Sequence, residues 1–215
     1  MFTGLVSGVG TVTAVEDKNG LRRFTLRSDY RSDSIELGAS IMHAGVCLTV
    51  VEFGPAADGG AWFCVEAVPE TLSLTVLGDW VIGTRVNLER SLKLGDELGG
   101  HFVFGHVDGV GEIVSVLEEG ESYRITIRPP VDISRYFARK GSVAVNGVSL
   151  TVADALDNGD FQVAIIPHTW SVTTLNELQS GSRVNLEIDM LARYVARMIG
   201  VDAPSAETGE GAEHG

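Results

Sequence analysis

Gly45-Val46-Cys47-Leu48-Thr49-Val50 returns as Gly147-Val148-Ser149-Leu150-Thr151-Val152, 102 positions later (147 less 45), with only cysteine changed to serine. Three further pairs keep the same order. Gly4-Leu5-Val6-Ser7-Gly8-Val9-Gly10 answers to Gly105-His106-Val107-Asp108-Gly109-Val110-Gly111, with its glycines and valines retained. Pro69-Glu70-Thr71-Leu72-Ser73-Leu74-Thr75 answers to Pro167-His168-Thr169-Trp170-Ser171-Val172-Thr173, and Arg85-Val86-Asn87-Leu88-Glu89 to Arg183-Val184-Asn185-Leu186-Glu187. Collinear matches at a nearly constant offset report a duplicated structural unit. The boundary falls between Leu94 and Gly100, where Gly95, Gly99 and Gly100 loosen the chain.

Turn chemistry repeats as well. Asp17-Lys18-Asn19-Gly20 is answered by Glu118-Glu119-Gly120, and Asp58-Gly59-Gly60 by Asp157-Asn158-Gly159. Glycine and asparagine supply the positive φ that tight hairpins need. The flanking segments 11–15, 22–26, 123–127 and 142–145 are β-branched or alternate polar with apolar, so each half reads as a small antiparallel barrel. The reading is all-β: one barrel over residues 1–97, a second over 98–189, a helix over 190–200 and a disordered tail over 201–215, whose Gly-, Ala- and Glu-rich composition cannot form a core.

Two segments carry helical spacing. Residues 131–140 place Ile133, Tyr136 and Phe137 on one face behind Asp132 as N-cap, which predicts a short helix lidding the second barrel. Leu191, Tyr194, Val195 and Met198 form an apolar stripe near the end of the chain. That stripe needs a partner, either the chain's own barrels or copies of the same helix.

Composition excludes several classes of function. A net charge of −13 repels a phosphate backbone, and no Lys/Arg-dense stripe offsets it, so no nucleic acid partner is expected. The first residues lack a basic segment followed by an apolar one, and no uncharged apolar run is long enough to span a bilayer; no membrane association and a cytoplasmic location are expected. Cys47 and Cys64 have no His or Cys neighbours at ligand spacing, so free thiols and no metal site are expected.

Two similar pockets can hold two similar molecules, which favours a reaction between like substrates. At matched positions the halves differ as Cys47 against Ser149, Leu5 against His106, Gly38 against Lys140, Glu70 against His168 and Ser91 against Asp189. His106, after a glycine, suits a proton shuttle, or is a histidine on a surface turn. Ser149 and Thr151 alternate along a strand, so both hydroxyls face one side; ordinary strand propensity gives the same pattern. Asp189 precedes the last helix and equally reads as its N-cap. Lys140 before Gly141 reads equally as a cation at a helix C-terminus.

Met1-Phe2-Thr3-Gly4, Gly45 to Val50, Gly99-Gly100-His101, Gly105-His106-Val107-Asp108-Gly109 and Gly147 to Val152 together resemble the riboflavin synthase family, over residues 1 to about 200. The resemblance implies two tandem six-stranded Greek-key barrels and a C-terminal helix joining three chains into a homotrimer. It implies a transferase that dismutates two 6,7-dimethyl-8-ribityllumazine molecules into riboflavin and 5-amino-6-(D-ribitylamino)uracil, the last step of riboflavin biosynthesis, with no cofactor. Association with a lumazine synthase is left open.

Carried over by residue, the resemblance implies one pocket of Gly4, Leu5, Val6, Ser40, Cys47, Leu48 and Thr49 with Glu66, Ala67, Val68, Pro69, Glu70 and Thr71. The other pocket comprises Gly105, His106, Val107, Lys140, Ser149, Leu150 and Thr151 with Ala164, Ile165, Ile166, Pro167, His168 and Thr169. A productive site would pair the first barrel of one chain with the second barrel of its neighbour. His106 is expected to transfer a proton, Ser149 and Thr151 to position the substrate or an attacking water, and Cys47 and Asp189 to support them. The sequence departs from the family at Ala44, where Asn is common, and at Phe104, where a small polar residue is common. A non-catalytic lumazine- or flavin-binding protein of the same fold is the alternative; such relatives lose polar residues in one repeat, whereas here they are present.

Overall fold

The computed structural model describes residues 1–200. The 201–215 segment, expected to be a disordered tail, lies outside them. The chain forms two closed six-stranded antiparallel barrels followed by a helix. The first barrel contains β1 (Gly8–Lys18), β2 (Leu21–Ser28), β3 (Ser40–His43), β4 (Val46–Pro55), β5 (Ala61–Ala67) and β6 (Arg85–Arg90), in the spatial order β1-β2-β5-β4-β3-β6. The second contains β7 (Gly109–Glu119), β8 (Ser122–Arg128), β9 (Ser142–Val145), β10 (Val148–Ala155), β11 (Phe161–Ile165) and β12 (Arg183–Ile188), in the same order around the ring. In each, three hairpin-joined strands lie beside an earlier one, as in a Greek key. Even the bulges repeat: β1 slips between Val12 and Ala14 and β7 between Ile113 and Ser115, while β4 and β10 slip at Val50/Glu52 and Val152/Asp154. Short helices α1 (Pro69–Leu74) and α2 (Pro167–Val172) follow β5 and β11, each with proline in its first turn.

Each barrel closes on its own core. Phe24, Leu26, Phe63, Val65 and Leu88 fill the first; Ile113, Ile125, Ile127, Phe161 and Leu186 fill the second. Burying each such side chain contributes about 1.5–3 kcal/mol.

The helix expected over 131–140 is not formed. Only a 3-10 turn, Ser134–Tyr136, is present, and its N-cap is Ile133, not Asp132. The apolar pattern was real, since Ile133 and Phe137 are buried in the second core. One tight turn satisfies that spacing, and Lys140 then turns to φ +70, where its N–H reaches the Val152 carbonyl at 2.8 Å.

The barrels meet at the tips of two matched hairpins, Ala44-Gly45 between β3 and β4 and Asn146-Gly147 between β9 and β10. All four residues have positive φ, which defines type I′ turns. A Cβ on either glycine would come within about 3 Å of the other tip's backbone nitrogen (3.1 and 2.8 Å), so only glycine lets the tips touch. Around them the contacts are reciprocal. Asn87 Nδ2 donates to the Asn146 carbonyl and Asn185 Nδ2 to that of Ala44, while Asn87 Oδ1 accepts from Thr174 N–H and Asn185 Oδ1 from Val76 N–H. Arg85 pairs with Glu177, and Arg183 with Asp79.

One half of this clasp is poorer than the other. Asn146 Oδ1 accepts from Asn185 N–H at 2.8 Å, whereas Ala44, at φ +45, has no side-chain acceptor and is strained in the left-handed region. Replacing Ala44 by Asn is expected to stabilise the protein by about 1 kcal/mol, raising the melting temperature by about 2–4 °C. A calorimetric scan showing no rise would remove that account of the asymmetry.

His43 occupies a barrel position filled by Val145 in the second repeat. It is fully buried, its Nδ1 hydrogen-bonded to the Ile41 carbonyl, and burial pushes its pKa down to about 4. The folded protein therefore holds the neutral ring while the unfolded chain takes up a proton from pH 6.5 downward. Stability from this group is full above that pH and falls by about 3 kcal/mol as the pH drops to 4. Denaturant melts of wild type and His43→Val across this window are expected to show a shallower decline in the variant; equal slopes would exclude His43 as the acid-sensitive group.

Candidate functional site

The site begins where the strand ladders stop. β4 pairs with β5 only from Val50/Val65 onward, and β10 with β11 only from Val152/Val163. Before those points Cys47 to Thr49 pair with β3 alone and Glu66 and Ala67 with β2 alone. Likewise Ser149 to Thr151 pair with β9 alone, and Ala164 and Ile165 with β8 alone. In each barrel the ladder between these two strands thus stops short, leaving an opening edged by strand backbone. Unpaired backbone groups at such an edge can bind an extended or planar polar partner as they would bind another strand.

Each opening is flanked by a segment from the other half of the chain. The Gly4 carbonyl accepts from Ser149 N–H at 2.8 Å, and Val6 packs on the second core. Reciprocally, the Gly105 carbonyl accepts from Cys47 N–H at 2.9 Å, and Val107 packs on the first core. Phe2 and Val103 bridge to each other where the two segments cross. Glycine is required at both crossings: a Cβ on Gly4 or Gly105 would stand 2.5 Å from the Cβ of Ser149 or Cys47. The grouping expected from sequence is therefore corrected. Gly4 lies on Ser149, and Val6 packs with Leu150 on the second core, which holds Ile165, while Gly105 lies on Cys47, and Val107 packs on the first core, which holds Leu48 and Ala67. A barrel-by-barrel assignment missed this because sequence adjacency does not show that the entry segments swap.

Two carboxylates, given no role by the sequence reading, anchor these segments. Glu89 accepts from Thr3 N–H (2.6 Å), Thr3 Oγ1 (2.7 Å) and Gly4 N–H (2.9 Å). Glu187 accepts from three successive N–H groups, those of Phe104 (2.7 Å), Gly105 (2.9 Å) and His106 (3.0 Å). Both are buried; burial raises both pKa values against the pull of these donors, that of Glu187 to about 7. Their signal was present in the sequence, a glutamate kept in the matched Arg-Val-Asn-Leu-Glu segment of both halves.

A third residue without an assigned role is His101. Its Nδ1 lies 2.6 Å from Ser149 Oγ, and its Nε2 is buried with no partner among the described residues. Burial lowers its pKa, partly countered by the nearby Asp189 charge. A neutral imidazole beside a hydroxyl can take the hydroxyl proton, the arrangement that activates serine as a nucleophile or water-positioning group. Asp189 itself caps the last helix, accepting from Leu191 N–H at 2.9 Å.

The other expected residues are more peripheral to these two groups. Ser40 borders a cavity of about 440 Å³ with Arg90 and Ser91, and its carbonyl accepts from Ser91 Oγ. His106 is exposed and borders a cavity of about 470 Å³ with Phe104, Asp108, Glu187, Arg193 and Tyr194. Lys140 is exposed. Pro69, Glu70 and Thr71 open α1, and Pro167, His168 and Thr169 open α2, immediately beyond the openings. Cys47 and Cys64 are free thiols, and no cluster of three metal-ligating side chains occurs among the described residues.

The final helix, α3 (Met190–Met198), buries only Ala196. Leu191, Tyr194, Val195 and Met198 are 69, 59, 55 and 85% exposed, so the apolar stripe is not docked on the chain's own barrels. No helix among the described residues is long and apolar enough to cross a membrane.

The Lumazine binding domain family matches residues 3–91 and again 104–189. A riboflavin synthase of Brucella abortus is 48% identical over 198 residues, covering 92% of this chain and 98% of the relative. One from Mycobacterium tuberculosis is 43% identical, covering 93% and 98%. Among solved structures, LumP complexed with 6,7-dimethyl-8-(1'-D-ribityl) lumazine superposes with a TM-score of 0.74 at 22% identity, over 87% of this chain and 99% of that one. That likeness is one of fold.

Proposed function

The chain belongs to the riboflavin synthase family, with two lumazine binding domains in tandem, and on that premise we propose that it converts two 6,7-dimethyl-8-ribityllumazine molecules into riboflavin and 5-amino-6-(D-ribitylamino)uracil. The carrying observation is the pair of matched, backbone-edged openings, each walled by the other half's entry segment. Two like sites suit two like heterocycles.

One substrate gives up a four-carbon unit and the other accepts it, so the atoms balance without an external oxidant or reductant. A proton leaves the C7 methyl of one lumazine while a nucleophile adds at C7 of the other. On the second barrel, Ser149 held by His101 supplies or positions that nucleophile, with Thr151 on the same strand face. His106, carried by the entry segment whose Gly105 carbonyl bonds Cys47 N–H, and Cys47 itself serve proton transfer and substrate contact there. Alignment of two stacked rings contributes up to about 7–11 kcal/mol in such bimolecular steps.

The exposed stripe on α3 supports assembly into a homotrimer, in which the first-barrel site of one chain faces the second-barrel site of the next. The enzyme would act in the cytoplasm. Incubating the pure protein with 6,7-dimethyl-8-ribityllumazine alone is expected to generate riboflavin absorbance. Tight binding without riboflavin formation would instead identify a lumazine-binding protein of this fold.

A further inference from the structure

The crossing of the two entry segments leaves each opening dependent on a carboxylate from the opposite barrel. Glu187 belongs to β12 of the second barrel, is 4% exposed, and gathers the N–H groups of Phe104, Gly105 and His106. The same segment delivers the Gly105 carbonyl to Cys47 on the first barrel. We infer that Glu187 is a positioning residue for the heterocycle site of the first barrel, fixing the wall that His106 and Val107 form, as Glu89 fixes the corresponding wall on the second. This rests on the reading of the openings as lumazine sites.

Three converging donors orient a carboxylate more tightly than a single bond would, and they hold the backbone on which His106 rides. The anchor on Glu187 is the weaker of the two in one respect. Thr3 adds a hydroxyl donor to Glu89, and its counterpart Phe104 has none to give. The groups facing Glu187 are His106 and Asp108 from the entry segment and Arg193 and Tyr194 from α3; the paired residue on β9 is the uncharged Ala144. Burial, with a contribution from the Asp108 charge, raises the pKa of Glu187 to about 7, so the wall is expected to slacken as the pH falls through neutrality and the carboxylate takes up a proton.

The half-buried Cys47 thiol reports on this site directly, because it contacts Gly105 while Cys64 is buried elsewhere. In the full chain, 6,7-dimethyl-8-ribityllumazine is expected to protect Cys47 from iodoacetamide, followed on the Cys47 peptide by mass spectrometry. Glu187→Gln is expected to raise the ligand concentration for half-protection about tenfold, and Glu121→Gln, an exposed change in the turn between β7 and β8, to leave it unchanged. An unmoved midpoint in Glu187→Gln, or equal shifts in both variants, overturns the inference. Should Glu187→Gln not fold, Phe104→Thr decides. By supplying the missing hydroxyl it is expected to move the pH at which protection weakens about one unit lower, and an unmoved pH overturns the inference. Absence of protection in the wild type at any concentration would count against the lumazine-site reading instead.

Discussion

Ser149→Ala is expected to lower riboflavin formation at least about 100-fold while lumazine binding stays within a few-fold of wild type, the span that a positioned proton-transfer group contributes to a reaction. The expectation follows from the 2.6 Å contact between Ser149 Oγ and His101 Nδ1. Burial disfavours the charged ring, so the imidazole is held in the form that can accept a proton. The backbone N–H of Ser149 is bonded to Gly4 and does not depend on the hydroxyl, so the wall of the site persists in the variant. His101→Ala is expected to cost a similar factor, and the double variant little more than either single one, because residues acting as a unit are not additive. Additive losses, or a Ser149→Ala enzyme with normal turnover, would show that the pair is a packing contact and leave the nucleophile to be sought elsewhere.

Placing glutamate at both Leu191 and Val195 is expected to yield a monomer in sedimentation equilibrium and to reduce turnover more than 100-fold, with each barrel still binding lumazine. Both residues lie on the exposed stripe of α3 and touch no core of their own chain. Folding of the barrels should therefore be spared, whereas association would lose about 1.5–3 kcal/mol for each apolar side chain no longer buried and would face like charges gathered at the helix bundle. Turnover would fall because, in the proposed homotrimer, the two substrates meet across chains. A variant that remains trimeric, or a monomer with full activity, would dissociate the helix from the reaction.

Much of the site was legible residue by residue. Cys47, Ser149, Thr151 and the glycines at 4 and 105 stood out because the repeat made their differences and constancies visible. What was illegible was their company. The family resemblance grouped Gly4 with Cys47; the structure places Gly4 on Ser149 and Gly105 on Cys47. His101, quoted only within a family motif, received no role because it lies ahead of the first matched segment of the second half and has no counterpart to be compared with. Glu89 and Glu187 escaped for the opposite reason: being identical in both halves, they looked like part of the strand pattern.

Periodicity and turn chemistry determined the barrels, because a strand's alternation and a hairpin's positive-φ residues are local properties that any stretch of chain carries with it. They could not decide the segment 131–140, where one 3-10 turn and a full helix bury the same side chains. Nor could they decide which half lends a wall to which opening. That choice is made by contacts between residues some hundred positions apart, Gly4 to Ser149 and Gly105 to Cys47 among them, and by buried carboxylates whose partners are backbone N–H groups. Backbone donors are the same at every residue, so no sequence pattern marks the ones that a distant side chain will select.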